Sequence, residues 1–426
     1  ASTPIKWRIL LALDKLQLSA VSKFNLPSYS CIKSTVNYMN PEIKRKLRMG
    51  LVGGGGAAFI GKVHAIAATL DNRARLCAGA LSSNRQRAKD SAPAFGIRED
   101  RAYSSFHDLL EYETHLDEED RIDFLSIATP NHTHAEIAIA AMQAGFHVVC
   151  DKPMTTTLND AQALVKAVED TGRIFALTHN YTGYPMIRQA RELIASGEIG
   201  DVLAVRSSYL QGWLTTFDTN ADAARGVWKT DPEKAGSGSL GDIGTHAFNL
   251  IRFVTGLTVN KIAATVETLH SSRLLDDYGV VQMRLENGTL GLITYSQMTH
   301  GRLNDFSLEI DGTRGALLWN QESPNQLIVR RQGQSTEIME RHPGGQYMLE
   351  LARQSTRIPG GHPEGFYEAF ANVYRAAFDD MARNIANGFH PGINTLYPNV
   401  YDGLEGVRFI ERVQESASSN SQWLEF

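Results

Sequence analysis

F-H-V-V-C-D-K-P-M-T, from Phe146 to Thr155, is an apolar run that stops at a charged pair and a proline. Gly145 in front of it is a helix stop, so His147 to Cys150 read as a short buried strand of the kind parallel sheets contain. Pro153 lacks the N–H that a ladder needs and ends the strand. Lys152 therefore stands at the carboxyl end of a parallel strand, the edge where open α/β sheets bind their ligands. An isolated Asp-Lys-Pro is more often a solvated loop opening. Its neighbours on both sides change that reading.

Upstream, Glu136 to Ala144 has the pattern of a crossover helix, and Ile122 to Ala128 that of another buried strand, ending in Thr129-Pro130-Asn131-His132-Thr133-His134. Further back, Met49 to Val52 is a strand, Gly53 to Gly61 a glycine-rich loop and Lys62 to Leu70 a helix. Strand, glycine loop and helix in that order let a backbone approach a pyrophosphate while the helix amino end supplies free N–H groups. Gly53, Gly55 and Gly61 are spaced more widely than G-x-G-x-x-G, so the pattern marks a site and leaves its register open. With strands at Arg75 to Leu81 and Ile174 to Thr178 and a helix at Asn159 to Asp170, the alternation predicts an α/β fold with a doubly wound parallel sheet. Residues 49–178 are the dinucleotide-binding Rossmann domain of this reading.

The candidate cofactor contacts follow from the strand ends. Gly53, Gly55, Gly56, Phe59 and Ile60 surround the pyrophosphate, and Thr129, Pro130, Asn131 and His134 border the nicotinamide with Asp151 and Lys152. At the ribose the second strand ends in Leu81-Ser82-Ser83-Asn84-Arg85, with no acid to repel a 2'-phosphate. Ser82, Ser83 and Arg87 suit that phosphate, so the expected cofactor is NADP or NAD, with NADP favoured.

After residue 178 strands follow one another, at Val202 to Tyr209, Lys261 to Leu269, Val280 to Leu285, Thr289 to Gln297, Phe306 to Asp311, Ala316 to Asn320 and Leu327 to Gln332. Asn287-Gly288 is a hairpin signal. Residues 179–395 thus read as an α+β domain on a mostly antiparallel sheet, which binds substrate with one face and packs on a second copy, in a dimer or tetramer, with the other. Residues 396–426 add a helix and a polar tail. Within the second domain, Asp242 and His246 lie four apart in Gly241-Asp242-Ile243-Gly244-Thr245-His246 and share a helix face. Such a pair is either an oriented acid/base or a helix cap beside a half-buried histidine. Tyr181, Tyr184, Trp213 and Trp228 are aromatic faces near polar side chains, which suits a sugar or cyclic polyol. Core packing explains any one of them equally well.

Composition narrows the alternatives. The chain has 426 residues with 42% hydrophobic content, enough for two or three cores. A formal charge of -5 gives no general attraction for nucleic acid or membrane. Cys31, Cys77 and Cys150 are too scattered for a disulfide framework or a zinc site, and a cytoplasmic location is the default. His132 and His134 lack a third ligand nearby, so no metal is expected. Residues 1–48 carry nine Lys or Arg against two acids and read as a basic leader, either a targeting segment with a helix at Trp7 to Leu18 or an addition outside the fold.

Together Gly53 to Gly61, Ala128-Thr129-Pro130-Asn131-His132, Asp151-Lys152-Pro153 and Gly241 to His246 resemble the motifs of the glucose-fructose oxidoreductase and inositol dehydrogenase family, Gfo/Idh/MocA, over residues 49 to 395. The family pattern has Glu-Lys-Pro where this chain has Asp151-Lys152-Pro153, and the longer glycine loop is a second departure. The resemblance implies that Lys152, Asp242 and His246 are the catalytic set of an NAD(P)-dependent oxidoreductase. A sugar or polyol hydroxyl would lose its proton to His246 and its carbon a hydride to nicotinamide, with Asp242 orienting His246 or the substrate. Two other readings stay open, namely redox-assisted sugar chemistry on a tightly held cofactor and a non-catalytic NAD(P) sensor.

Overall fold

The apolar runs around Lys152 pair side by side. The computed structural model describes residues 43, 45–56, 58–215 and 227–426. Most of the basic leader, with Trp7 to Leu18 and Cys31, lies outside the described residues, as does Ala57 in the glycine loop. Strands β1 (Leu47–Gly53), β2 (Ala74–Ala80), β3 (Phe124–Ala128), β4 (His147–Cys150) and β5 (Phe175–Leu177) form a parallel sheet in the order β2-β1-β3-β4-β5. Helices α1 (Phe59–Thr69), α2 (Arg85–Ser91), α3 (Phe106–His115), α4 (His134–Gln143) and α5 (Leu158–Thr171) connect them. The strand order reverses between β1 and β3, and the carboxyl ends of the strands open a crevice there.

Side chains alternate between the two faces of this sheet. Val52, Leu125, Ile127, Val148, Cys150 and Leu177 pack with Ala138 of α4 and Leu164 of α5. Met49, Leu51, Phe124, Val149 and Ala176 pack with Val63 of α1 on the other side.

The rest of the chain builds a second sheet, from β6 (Val202–Leu210), β7 (Val259–Glu267), β8 (Tyr278–Leu285), β9 (Leu290–Ser296), β10 (Asp305–Gly312), β11 (Gly315–Asn320), β12 (Gln326–Arg331), β13 (Glu337–Glu340) and β14 (Leu424–Glu425). Its order is β13-β12-β11-β10-β6-β9-β8-β7-β14, antiparallel except for the parallel pair β6 and β9. The hairpin at Asn287-Gly288 joins β8 to β9 with both residues at positive φ, 58° and 80°. Helices α6 (Pro185–Ala195) and α7 (Thr245–Thr255) bury one face, where Ile187, Phe248 and Ile251 meet Tyr209, Val281, Ile293 and Phe306.

Two long helices then return to the first sheet. In α8 (Phe366–Asn387), Phe370, Tyr374 and Phe378 cover the face of Met49, Leu51 and Phe124. In α9 (Val400–Ser418), Val400 and Val407 join the opposite face, while Phe409 and Val413 belong to the core of the second sheet. The polar tail ends in β14, which pairs with β7. Strands β13 and β14 have no sequence signature because one is a mostly exposed edge strand and the other is two residues long. Arg45 and Arg48, at the end of the basic leader, hold Asp123 at 2.7 and 3.1 Å, and Arg48 is buried in doing so.

Two buried histidines make this half of the molecule acid-sensitive. His147 accepts the Ile174 N–H at 3.0 Å through Nδ1, and burial pushes its pKa down to about 3. His64 is bound to Tyr374 OH at 2.6 Å, and burial lowers its pKa to about 4. Both stay neutral in the fold but take up a proton in the unfolded chain below 6.5, so their stabilising effect is full above 6.5 and is lost as pH falls toward 4. Urea unfolding at pH 7, 6 and 5 is expected to show a small loss of stability from 7 to 6 and a steeper one from 6 to 5, approaching about 1.4 kcal/mol per pH unit per histidine. A flat profile would contradict their neutrality.

Candidate active site

Strand β1 runs into Gly53, Gly54 and Gly56, all at positive φ. A Cβ on Gly54 would stand 2.4 Å from Gly61 Cα, and one on Gly55 would stand 2.5 Å from the Leu81 carbonyl oxygen. Gly61 thus lies in the first turn of α1 and packs against the loop, which accounts for the wide glycine spacing. The N-cap, Ala58, makes no side-chain cap bond, so the leading N–H groups of α1 are left for an outside acceptor. A backbone cradle with no room for side chains, ahead of an uncapped helix, fits a dinucleotide pyrophosphate.

The loop opens into a cleft of about 1720 Å³ along the strand ends. Gly53, Gly55, Phe59 and Ile60 line it, as do Ser82, Ser83 and Arg87 past β2, Thr129, Pro130 and Asn131 past β3, and Asp151 and Lys152 past β4. The second sheet and its helices contribute Tyr181, Trp213, Trp228, Asp242 and His246 to the same cleft. Three candidates lie elsewhere. Gly56 borders a smaller adjoining lobe with Lys62, Arg87 and Asp90. His134 is fully buried beneath the cleft, where its nitrogens lie 2.9 Å from the carbonyls of Pro153 and Thr129, so it ties two strand-end loops together instead of facing a ligand. Tyr184 is packed against Tyr181 and Trp319 in the core of the second sheet.

Lys152 is held from below. The Asp151 carboxylate accepts the Lys152 N–H at 3.0 Å and the Thr178 hydroxyl at 2.9 Å, joining the ends of β4 and β5. Lys152 Nζ reaches Asp242 Oδ1 at 3.0 Å and also donates to the Asp242 carbonyl. Lys229 Nζ lies 3.4 Å from the same Oδ1, and Gln297 donates to Oδ2 at 2.8 Å. Burial alone would raise the pKa of Asp242, but the Lys152 and Lys229 ammoniums and the Gln297 bond hold it well below the usual carboxylate range.

His246 has a different partner. Asp242 sits in a π-helical turn, Leu240–Gly244, that leads into α7, and both residues line the cleft. Among the described residues no hydrogen bond joins Asp242 to His246, and the Asp242 carboxylate, expected to orient His246 or the substrate, pairs with Lys152 here. His246 Nδ1 lies 3.1 Å from His179 Nδ1. Burial, then the Lys152 ammonium and His179, keep the His246 pKa well below 6.5 against the pull of Asp242.

A polar chain that the sequence does not reveal continues from Asp242. Gln297 accepts from Ser239 and donates to Gln211, Gln211 accepts from Trp213 and donates to Asn304, and Asn304 accepts from Tyr209, whose hydroxyl meets that of Tyr181. These side chains converge from four separate segments. His179 had a usable signal, since it follows a strand end just as Thr129 and Lys152 do; Gln297 and Asn304 had none. Arg188 is buried against Ser355 and backbone carbonyls, and the His362 to Gly365 loop is anchored by the buried Glu364–Arg341 pair, so neither lines the cleft. Among the described residues no cluster of three possible metal ligands occurs and no helix is long and apolar enough to cross a membrane.

Comparison with known proteins agrees with this geometry. Residues 47–179 match the family described as "Oxidoreductase family, NAD-binding Rossmann fold", and residues 187–318 match "GFO/IDH/MocA C-terminal domain". An uncharacterized oxidoreductase of Bacillus subtilis, YfiI, is 32% identical over 90% of this chain and 98% of its own length. Levoglucosan dehydrogenase of Pseudarthrobacter phenanthrenivorans is 29% identical over 89% of this chain and 98% of its own. The crystal structure of an inositol dehydrogenase homolog complexed with NAD+ from Azotobacter vinelandii superimposes with a TM-score of 0.84 at 32% identity, covering 90% of this chain and 98% of that one.

Proposed function

The chain belongs to the Gfo/Idh/MocA oxidoreductases, and from that premise we propose that it oxidises a secondary hydroxyl of a sugar or cyclic polyol with NAD(P), using Lys152 and His246 on the substrate oxygen. The observation that carries this reading is the meeting of Lys152, Asp242 and His246 in one cleft with the glycine cradle. Relatives named for levoglucosan and inositol support the substrate class.

Gly53, Gly55 and Thr129 would hold a dinucleotide, which would supply the hydride acceptor. His246, neutral through burial, takes the hydroxyl proton. Lys152 donates a hydrogen bond to the same oxygen as negative charge grows there. Asp242 aims Lys152 and, with Gln297 and Gln211, offers acceptors and donors to neighbouring hydroxyls. The Trp213 and Trp228 rings give CH faces a surface to lie on.

Nicotinamide absorbance recorded with NAD and NADP against a panel of aldoses, inositols and anhydro sugars tests the reading. A rate with a polyol supports it, and silence across the panel with cofactor bound refutes it. At the ribose end no carboxylate follows β2, and the Arg87 stem lies over Gly56, where a Cβ would meet it at 3.9 Å. This favours NADP, although the Azotobacter vinelandii homolog holds NAD+. Arg87→Ala is expected to weaken NADP binding roughly tenfold, as loss of one charge-assisted contact does, with little change for NAD. Equal losses for both dinucleotides would remove Arg87 from phosphate recognition.

A further inference from the structure

His179, just past β5, and His246, in the first turn of α7, meet with Nδ1 to Nδ1 at 3.1 Å and their rings at 87°. Such a bond needs a proton on one nitrogen and a free lone pair on the other, so the tautomers of the two rings are tied together. Both rings are buried, at 2% and 6% exposure, but only His246 borders the cleft, and His179 stands behind it. Tyr181 and Tyr209 pack on the His246 ring at 4.8 and 6.3 Å, and Lys152 and Asp242 are the charged groups near it. Burial and the Lys152 ammonium bring His179 down to about 3, so it is neutral at working pH. The place a carboxylate would take behind a catalytic imidazole is therefore held by a second imidazole.

We propose that His179 is the positioning residue of the base, its bare Nδ1 accepting the His246 Nδ1–H so that the His246 Nε2 lone pair is turned to the cleft. With the opposite pair of tautomers His246 would present an N–H there and could take no proton from an alcohol. In the proposed arrangement the hydroxyl O–H bond breaks, an Nε2–H bond forms on His246, and the Nδ1–H stays on His246, hydrogen-bonded to His179, throughout. The purpose of this device rests on the alcohol-oxidising reading above, but its test does not.

The test is a long-range ¹⁵N–¹H spectrum of the full chain with labelled histidine and bound dinucleotide, with His246 assigned by its loss in His246→Gln. The expected wild-type signal has Nδ1 protonated and Nε2 bare. His179→Phe, which removes the acceptor, is expected to shift His246 toward the Nε2–H tautomer and to lower kcat roughly 10- to 100-fold with KM near wild type, the scale of a misoriented base. His179→Gln, whose amide oxygen can accept the same proton, is expected to restore the tautomer and most of kcat. A wild-type His246 protonated on Nε2, or a tautomer unmoved in His179→Phe, overturns the proposal. If His179→Phe does not fold, the wild-type and His179→Gln spectra decide. Wild-type protein with the expected tautomers but no activity on any polyol would refute the function and leave the positioning role standing.

Discussion

Replacing Lys152 with methionine is expected to lower kcat by roughly a thousandfold, the scale of losing one preorganised donor to a developing oxyanion. Lys152 is carried by the end of β4 and locked by Asp151 beneath it and Asp242 in front, so its ammonium is placed before any substrate arrives. Methionine keeps the length of the side chain without its charge. The fold should tolerate this, because Asp242 retains Lys229 at 3.4 Å and Gln297 at 2.8 Å. Dinucleotide affinity should stay close to wild type, since the glycine cradle lies past β1 and is untouched. Calorimetric titration with the dinucleotide and steady-state rates separate the two effects. A near-normal kcat would remove Lys152 from the reaction, and a lost affinity with normal kcat would make it a cofactor ligand only.

For His246→Ala the expected loss is roughly a hundred- to ten-thousand-fold in kcat, the usual contribution of a positioned general base. The pH profile makes this specific. His246 works unprotonated, and burial with the Lys152 ammonium holds its pKa well below 6.5. Its base form is therefore complete above 6.5 and is lost as pH falls through the lowered value, so the acid limb of kcat/KM should lie below 6.5. In His246→Ala that limb should disappear along with the rate. A wild-type limb centred above 6.5, or an unchanged limb in the variant, would place the titrating base elsewhere.

The strand at His147 to Cys150, the glycine loop and the alternation around them were legible because each is local. Buried parallel strands are short apolar runs, helices repeat on their own period, and a glycine loop between them has little else to do. The places of Gly53, Gly55, Ser82, Thr129 and Asp151 along the cleft followed from the rule that loops at strand ends face the crevice. His134 shows where that rule stops. It starts α4 at a strand end, but its ring turns inward, its nitrogens 2.9 Å from two loop carbonyls, to one of which a neutral imidazole can donate.

By itself, then, the sequence determined the two-sheet architecture and the alternation of elements in the first domain, since these depend on patterns within a few dozen residues, while the grouping of Lys152, Asp242 and His246 came from the family resemblance alone. Only the tertiary structure decided who is paired with whom. Asp242, in the π turn Leu240–Gly244, pairs with Lys152 from the end of β4, and the turn Asn180–Gly183 after β5 packs against α7 where His179 meets His246 across 67 positions. The return of α8 and α9 to cover the first sheet was likewise hidden, because an amphipathic helix records that it has an apolar face but not which sheet will bury it.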